Sequence, residues 1–255
     1  MNKLTITRFP QLSFAGGEAI NSLCTNLSFA GENVHKIMFT SCQASEGKSF
    51  VTMNVMRTLA RLGKRVVLVD ADLRRSVIVS KYGLQFSGQA RPMGLSHLLA
   101  GKANVEDVVY ETNIPGAYIV PTGREISNSL PLLVSPRFRK LLDRLMQMAD
   151  YVLVDAPPLG ALIDAAEIAK SCDGSLVVVS YNAVRRQELV EVKRQLEQTG
   201  CPILGTVLNR VELDNYLNRK YYYKSYYKSY YAHDDDSAPN RRSIPREKDG
   251  AGKRK

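Results

Sequence analysis

The residues best suited to chemistry lie in the segment CQASEGKS, residues 42–49, which we call the phosphate loop. It matches the pattern G-x-x-x-x-G-K-[ST] at its last three positions, Gly47, Lys48 and Ser49, while Cys42 replaces the first glycine. Glycine lets backbone N–H groups curl around a phosphate at the start of a helix. A lysine adds positive charge to the β- and γ-phosphates, and a serine hydroxyl can bind Mg²⁺. The segment therefore predicts a nucleotide site, with Lys48 expected to be solvated.

Three acidic residues follow apolar runs. Asp70 and Asp72 end VVLVDAD, and Asp155 lies in YVLVDAPP. Residues two apart in a strand point to the same face, and the carboxyl ends of parallel strands meet at one edge of a sheet. Such acids could also cap helices or form salt bridges in loops. Beside a phosphate loop they fit a Mg²⁺ site better, because Mg²⁺ prefers oxygen ligands.

The elements that must position these residues follow a βαβ pattern. β-branched runs alternate with segments of helical periodicity, which is typical of a parallel sheet covered by helices on both faces. The predicted strands are 36–41, 65–72, 117–122, 151–157, 175–180 and 203–209. The predicted helices are 49–63, 135–149, 163–171 and 185–200, and Gly63 and Gly200 are suited to cap two of them. Residues 85–94 predict a mobile loop.

Composition narrows the class of protein. The chain has 255 residues, 44% of them hydrophobic, which suits one large domain with an appendage. Its apolar runs are too short for a membrane span, and its first residues lack the features of a signal peptide, so we expect a soluble cytoplasmic protein. Four scattered cysteines and three isolated histidines show no spacing of metal ligands.

The C-terminal segment, residues 216–255, is unusual. Eight of the thirteen tyrosines lie between Tyr216 and Tyr231, in NRKYYYKSYYKSYY and just before it. Eleven Lys or Arg against five Asp or Glu give this segment +6 of the net charge of +10. Such a segment could bind RNA, single strands or membrane headgroups, although no strands surround it to present stacked bases. Residues 1–215 are predicted to form the folded domain and 216–255 a flexible tail.

The combination of FTSCQASEGKS, VVLVDADLR, YVLVDAPP and the tyrosine cluster resembles the bacterial tyrosine kinases of capsule and exopolysaccharide synthesis, in their free-standing cytoplasmic form. The resemblance covers about residues 15–231. It implies a P-loop NTPase fold of the MinD/ParA-like class, doubly wound and mainly parallel, that uses ATP and Mg²⁺. It also implies an autokinase whose own tail supplies the acceptors, so that the tyrosines are the substrate.

The resemblance assigns roles to particular positions. Lys48 and the loop backbone hold the phosphates, Ser49, Asp72 and Asp155 bind Mg²⁺, and Asp70 accepts or orients the tyrosine proton, although Asp70 and Asp72 could exchange roles. Asn209 resembles a position that contacts adenine; it could instead be a strand-end turn residue. The loop residues expected at the nucleotide are Cys42, Gln43, Ala44, Ser45, Glu46, Gly47, Lys48 and Ser49. The expected phosphoacceptors are Tyr221, Tyr222, Tyr223, Tyr226, Tyr227, Tyr230 and Tyr231.

Partners are also implied by the resemblance. They are a separate transmembrane activator, or polysaccharide co-polymerase subunit, that recruits the kinase to the inner face of the plasma membrane, a cognate tyrosine phosphatase, and further copies of the chain for transfer in trans. No nucleic-acid partner is expected. The output would be control of polysaccharide polymerisation and export.

Three positions depart from the patterns of related proteins. In the family an E-x-x-R-x-x-R helix builds a ring of subunits, whereas here Glu18 is followed by Asn21 and Cys24. Gln43 stands where partitioning and division-site ATPases carry an extra lysine, which argues against that group. The alternative function is a nucleotide-switched positioning ATPase whose basic tail binds membrane or DNA.

Cys42 has two interpretations. It is either a small residue that fits the loop or, because it lies near a helix N-terminus, a thiolate open to oxidation.

Overall fold

The computed structural model of the chain describes residues 2–88, 92–160 and 163–211. The tyrosine cluster and the predicted domain boundary at residue 215 lie outside these ranges, and both stay predictions. The described strands are β1 Asn2–Ile6, β2 Lys36–Ser41, β3 Val66–Asp70, β4 Leu84–Phe86, β5 Tyr110–Glu111, β6 Ala117–Val120, β7 Tyr151–Asp155, β8 Gly174–Ser180 and β9 Ile203–Asn209.

The helices cover both faces of the sheet. They are α1 Phe14–Ser28, α2 Lys48–Arg61, α3 Ile78–Tyr82, α4 Leu95–Leu99, α5 Val105–Val108, α6 Leu130–Leu133, α7 Pro136–Met146, α8 Asp164–Ala169 and α9 Arg186–Thr199. Helix α9 ends at Gly200, which has φ 78° in the left-handed region, as expected for a glycine cap. Helix α2 ends at Arg61 with Leu62 as its C-cap, and Gly63, with φ 80°, follows directly.

The described strands form one sheet in the order β4-β1-β5-β6-β3-β7-β2-β8-β9. Strand β3 pairs in parallel with β6 and β7, β7 pairs with β2, and β2 pairs with β8, which in turn pairs with β9. The pairs β1–β4 and β5–β6 are antiparallel. The expected α/β class with a doubly wound, mainly parallel sheet is confirmed.

Strand β3 shows why the sheet is covered on both faces. Its five residues are all buried. Val66 and Leu68 pack into one hydrophobic cluster, whereas Val67 and Val69 pack into a second cluster on the opposite face. Side chains alternate along a strand, so a run that is apolar at every position requires a core on each side. The sequence run VVLV therefore places β3 in the middle of the molecule.

The edge strands differ from the predictions. All six predicted strands are present, but β1, β4 and β5 were not predicted, and β4 occupies the start of the segment 85–94 that was interpreted as a loop. These strands have only two to five residues, too few to show a clear period. Their existence depends on pairing with partners distant in sequence, such as Leu4 with Phe86.

Six adjacent described strands run parallel and end at the same edge of the sheet, and five of them matter for the site: β2, β3, β7, β8 and β9. Their last residues are Ser41, Asp70, Asp155, Ser180 and Asn209. The phosphate loop follows the first of these strands directly. Because the strands are parallel and adjacent, the topology gathers at one edge residues that lie far apart in the sequence.

Candidate functional site

The phosphate loop joins β2 to α2, and two of its residues have a left-handed backbone conformation. Ser45 has φ 65° and Gly47 has φ 93°. A Cβ atom at position 47 would lie 2.1 Å from Asn209 Nδ2, so glycine is required there by space as well as by conformation. Helix α2 begins immediately afterwards at Lys48. The first N–H groups of α2 therefore point towards the loop, as an anion site requires.

Lys48 lies inside the site rather than in solvent. Its side chain is 11% exposed, and its Nζ is 3.6 Å from Asp72 Oδ2. The expectation of a solvated lysine was wrong, because Asp72, in the loop after β3, lies beside the ammonium group. The neighbouring Ser49 is also buried, and its hydroxyl acts to lower the pKa of Asp155. The lysine and the serine of the loop thus each lie near one of the predicted acids.

Asp70 and Asp155 lie side by side on paired strands. They are partners in the register of β3 with β7, and both are almost completely buried. Burial, followed by the charge of Asp155, raises the pKa of Asp70 to about 8. Burial also raises the pKa of Asp155, to about 6, although Lys48 and the Ser49 hydroxyl counteract it. The two carboxyl groups therefore resist carrying two negative charges together.

Oxygen atoms of these two acids lack a hydrogen-bond donor within the described part of the chain: Oδ1 of Asp70 and Oδ1 of Asp155. The other oxygen of Asp70, Oδ2, accepts from the Ser76 hydroxyl. Buried carboxylate oxygens without donors are costly, and a cation would satisfy them. The donor set therefore fits a hard divalent cation such as Mg²⁺.

Asp72 lies just beyond the end of β3. Its Oδ1 accepts from the Arg75 N–H at 3.1 Å, and its Oδ2 faces Lys48. The predicted strand 65–72 was too long: β3 ends at Asp70, and the Leu73 N–H then bonds the Ala71 carbonyl in a turn. Asp72 is thus carried by a turn, whereas Asp70 is fixed in the sheet.

No group of three or more His, Cys, Asp and Glu side chains is arranged to hold a metal in the described ranges. The predicted set of Ser49, Asp72 and Asp155 contains two carboxylates and stays a prediction. Mg²⁺ commonly takes one or two protein carboxylates and completes its shell with phosphate oxygens and water. Such a site would depend on the nucleotide for its remaining ligands.

Asn209 ends β9 and contacts the phosphate loop. Its Nδ2 donates to the Glu46 carbonyl at 2.9 Å. The predicted contact of this residue with adenine stays a prediction. The contact seen here instead connects the last described strand with the loop.

Cys42 is a packing residue. It is 2% exposed, and burial, followed by the charges of Glu46 and Glu188, raises its pKa to about 11. Burial and the raised pKa favour the interpretation of Cys42 as a small residue that fits the loop. A Cβ atom at Gly160 would lie 2.3 Å from the Cys42 carbonyl oxygen, so the loop after β7 passes close to this position.

Several contacts of the site were not predicted. Ser76 fixes Asp70, the Ser180 backbone N–H donates to the Glu46 carboxylate, and Gln43 Nε2 donates to Glu188 Oε2 at 2.6 Å. The partners Ser76, Ser180 and Glu188 belong to no sequence motif. Ser180 and Glu188 are brought to the loop by the parallel order of the strands, so only the fold could reveal them, whereas Ser76 follows Asp70 by six residues. The predicted phosphoacceptor tyrosines lie outside the described residues.

Comparison with known proteins identifies relatives of this chain. Residues 34–199 match a family described as AAA domain. The chain is 34% identical over 194 residues to the tyrosine-protein kinase CpsD of Streptococcus agalactiae serotype III, covering 76% of this chain and 82% of that protein.

Solved structures agree with this relationship. The kinase domain of the Escherichia coli tyrosine kinase ETK superposes with a TM-score of 0.70 at 30% identity, covering 77% of this chain and 78% of that one. The septum site-determining protein MinD of Pyrococcus horikoshii, solved in complex with Mg-ADP, gives a TM-score of 0.60 at 26% identity. That match covers 71% of this chain and 72% of that one.

Proposed function

Since this chain belongs to the family of CpsD-type bacterial tyrosine-protein kinases, we propose that it transfers the γ-phosphoryl group of ATP to tyrosines of its own C-terminal segment and thereby regulates capsular or exopolysaccharide polymerisation and export. The chain is a protein-tyrosine kinase. The observation that supports the reaction best is the convergence of Lys48, Ser49 and three carboxyl groups at one edge of the sheet.

The residues of the site can be given roles in that reaction. The phosphate-loop N–H groups and Lys48 would hold the β- and γ-phosphates. Ser49, Asp72 and Asp155 would hold Mg²⁺, which neutralises phosphate charge when bound. The tyrosine oxygen forms a bond to the γ-phosphorus while the bond to the β–γ bridging oxygen breaks, and ADP leaves. The tyrosine proton passes to Asp70, in our assignment.

That role of Asp70 requires the carboxyl group to lose its own proton first. In the conformation described here its pKa of about 8 favours the protonated form, chiefly because of burial and the charge of Asp155. Mg²⁺ held by Ser49, Asp72 and Asp155 would supply positive charge near Asp70, and a nearby positive charge lowers the pKa of a carboxyl group. Asp70 would then be ionised and able to accept the proton.

The tail fits the role of acceptor by composition. Its tyrosines recur in K-S-Y-Y units, and the segment carries a charge of +6. Each phosphotyrosine adds about −1.5 to −2, so seven would add roughly −10 to −14 and reverse the sign of the segment. Attraction to an acidic surface would become repulsion, which gives the modification a direct physical effect.

The remaining partners belong to the same proposal. Among the described residues no helix is long and apolar enough to cross a membrane. We propose that a separate transmembrane activator recruits the kinase from the cytoplasm to the inner face of the plasma membrane. A cognate tyrosine phosphatase would reset the tail, and copies of the chain would associate so that one can phosphorylate another.

Labelled ATP tests this function. The full chain is incubated with γ-labelled ATP and Mg²⁺, with and without the cytoplasmic tail of the activator, and the intact mass is measured. Mass increments on tail tyrosines support the kinase with tail acceptors. Release of free phosphate alone would favour the positioning ATPase, a possibility raised by the resemblance of the fold to MinD.

A further inference from the structure

A buried acid lies within the loop that is expected to bind phosphate. Glu46 is 3% exposed, although it carries a carboxylate beside the proposed anion site. Its Oε2 accepts from the Gln43 N–H at 2.7 Å, and its Oε1 accepts from the Ser180 N–H at 3.1 Å. Both oxygens are therefore held by backbone donors, one within the loop and one at the end of β8.

The main chain of Glu46 is held as well. Its carbonyl accepts from Asn209 Nδ2 at 2.9 Å. On the other side of the loop, the Ser41 hydroxyl donates to the Gln43 carbonyl at 2.6 Å. The loop is thus tied to the ends of β2, β8 and β9 at once.

Neither attraction to the nucleotide nor an ion pair accounts for this carboxylate. Its charge would repel a phosphate group. The ion pairs of the described residues do not include Glu46. The side chain instead fixes the positions of two backbone N–H groups, because both donate to its carboxylate.

We infer that the Glu46 side chain is a positioning residue that holds the phosphate loop in its binding shape before nucleotide arrives. Within this inference, which rests on the proposed nucleotide function, Glu46 contacts neither ATP nor Mg²⁺ through its side chain. It acts through Gln43 and the end of β8.

The conformation of the loop explains why a brace is needed. Ser45 adopts φ 65°, a region that costs energy for a residue with a Cβ atom. Gly47, two residues later, is flexible by nature. Without the Glu46 contacts the segment between them would relax, and the N–H groups that surround a phosphate would have to be ordered again on binding. Preorganisation of this kind appears as affinity.

The test replaces Glu46 by glutamine in the full-length protein. Glu46→Gln keeps the shape but presents one oxygen and one NH₂ group to two N–H donors, so one contact becomes repulsive. The matched control is Glu188→Gln, which alters an acid that touches the same Gln43 through its side chain only. The dissociation constant of ADP with Mg²⁺ is measured by calorimetry, together with the melting temperature of the nucleotide-free protein.

We expect Glu46→Gln to weaken ADP binding about tenfold, the usual scale for one lost charge-assisted contact, while Glu188→Gln stays within about twofold. In turnover assays KM for ATP should rise by a similar factor with kcat within about threefold, because saturating ATP restores the loop. Affinity of Glu46→Gln within about twofold of the unaltered protein would overturn the inference.

A second result would also overturn it. If Glu46→Gln lowers the melting temperature by more than about 10 °C, far beyond the ~2–4 °C that a 1 kcal/mol change causes in a domain of this size, Glu46 serves the fold rather than the loop. Failure of the unaltered protein to bind ADP is a separate outcome: it would reject the nucleotide site itself, and the inference with it.

Discussion

At the scale of single residues, the site brings three carboxyl groups and one ammonium group close together. Asp70 and Asp155 are buried beside one another, and both have raised pKa values chiefly because of burial. Lys48 lies 3.6 Å from Asp72 and offsets part of that negative charge. A divalent cation near Asp70 and Asp155 would stabilise their ionised forms.

The first prediction concerns the ammonium group. Lys48→Met should abolish tyrosine phosphorylation, because it removes the loop's positive charge from the phosphates. It also removes the ion-pair partner of Asp72. Autophosphorylation is measured by anti-phosphotyrosine blot and intact mass, with circular dichroism to verify the fold. Lys193→Met, which affects an exposed pair with Glu197, serves as the control and should retain activity. Unchanged labelling in Lys48→Met would reject the assignment of the nucleotide site.

The second prediction separates the metal ligand from the proton acceptor. Asp155→Asn should weaken Mg²⁺-dependent ADP binding by about tenfold or more, because it removes the negative charge of a proposed Mg²⁺ ligand. Asp70→Asn should leave binding within about threefold while turnover falls by roughly 100-fold, the usual contribution of a general base. Asparagine resembles the neutral form that Asp70 favours near pH 7 in the nucleotide-free protein. Equal loss of ADP affinity in both variants would show that this division of roles is wrong.

The sequence identified the chemistry at this scale but not its surroundings. The spacing of Asp70 and Asp72 and the GKS tripeptide were enough to predict the acids and the loop. Burial was not predicted, so Lys48 was expected in solvent. The reason is that Asp72, which faces its ammonium group, comes from another part of the chain.

At the scale of elements, the central strands were predictable because each is apolar at every position. A run such as VVLV or LVVV can be covered only by helices on both faces, which fixes the class of fold. The strands β1, β4 and β5 were not predictable, because two to five residues carry no period and are stabilised only by their neighbours. Boundaries at the carboxyl edge also differed, since strand and turn meet there within the motif itself.

A buried ion pair connects two of these edge segments. Asp164, at the start of α8, accepts from Arg74 Nε at 2.8 Å and from the Ser129 hydroxyl, and its side chain is 1% exposed. Arg74 also donates to the Ser127 carbonyl at 2.6 Å. The turn that carries Asp72 is therefore attached both to α8 and to the segment before α6.

The third prediction tests this connection. Asp164→Asn should lower the free energy of unfolding by about 2–3 kcal/mol, somewhat below the usual cost of breaking a buried pair because Arg74 is partly exposed. Urea titration at pH 7 measures the change. Glu167→Gln, in the surface pair of the same helix with Lys170, should cost less than about 1 kcal/mol. A cost for Asp164→Asn no greater than that of Glu167→Gln would contradict this role.

The same pair should respond to pH in a defined direction. Burial works to raise the pKa of Asp164, but hydrogen bonds from Arg74 and Ser129 outweigh it and lower the pKa below the ordinary value of 3.8. A depressed pKa stabilises the folded state above the unfolded pKa and ceases to do so as pH falls through the folded pKa. The difference between Asp164→Asn and the unaltered protein should therefore be constant above about pH 5 and shrink below about pH 4.

At the scale of the whole molecule, the positive charge is concentrated in the C-terminal segment. The final 40 residues carry +6 of the net charge of +10, so the rest of the chain is nearly balanced.

The two positions that hold arginines in the family's ring contact are Asn21 and Cys24 in this chain. Both make contacts within their own chain. Asn21 Nδ2 donates to Glu18 Oε1 at 3.1 Å within α1, and Cys24 is buried with its Sγ near the Val55 carbonyl. Position 24 thus faces the interior of its own subunit.

The fourth prediction is that phosphoryl transfer occurs between copies of the chain. A Lys48→Met chain with an intact tail is mixed with an active chain truncated after Leu213, which lacks the tyrosine cluster. The inactive partner should become labelled, because the acceptor segment begins soon after β9, whose last residue, Asn209, contacts the phosphate loop. Some 15 flexible residues span about 20 Å, so the predicted tail could reach a neighbouring site as readily as its own. Label is assigned to each chain by intact mass.

The concentration dependence decides between the two routes. Transfer in trans requires two chains to meet, so the labelling rate of the unaltered protein should rise with protein concentration until association saturates. Transfer within one chain would give a rate independent of concentration and no label in the mixture. Because Asn21 and Cys24 replace the arginines of the ring contact, we expect association to be weak and the concentration dependence to extend into the micromolar range or above. A mixture that stays unlabelled at every concentration, while the unaltered chain labels at a constant rate, would reject transfer in trans and the role proposed for self-association.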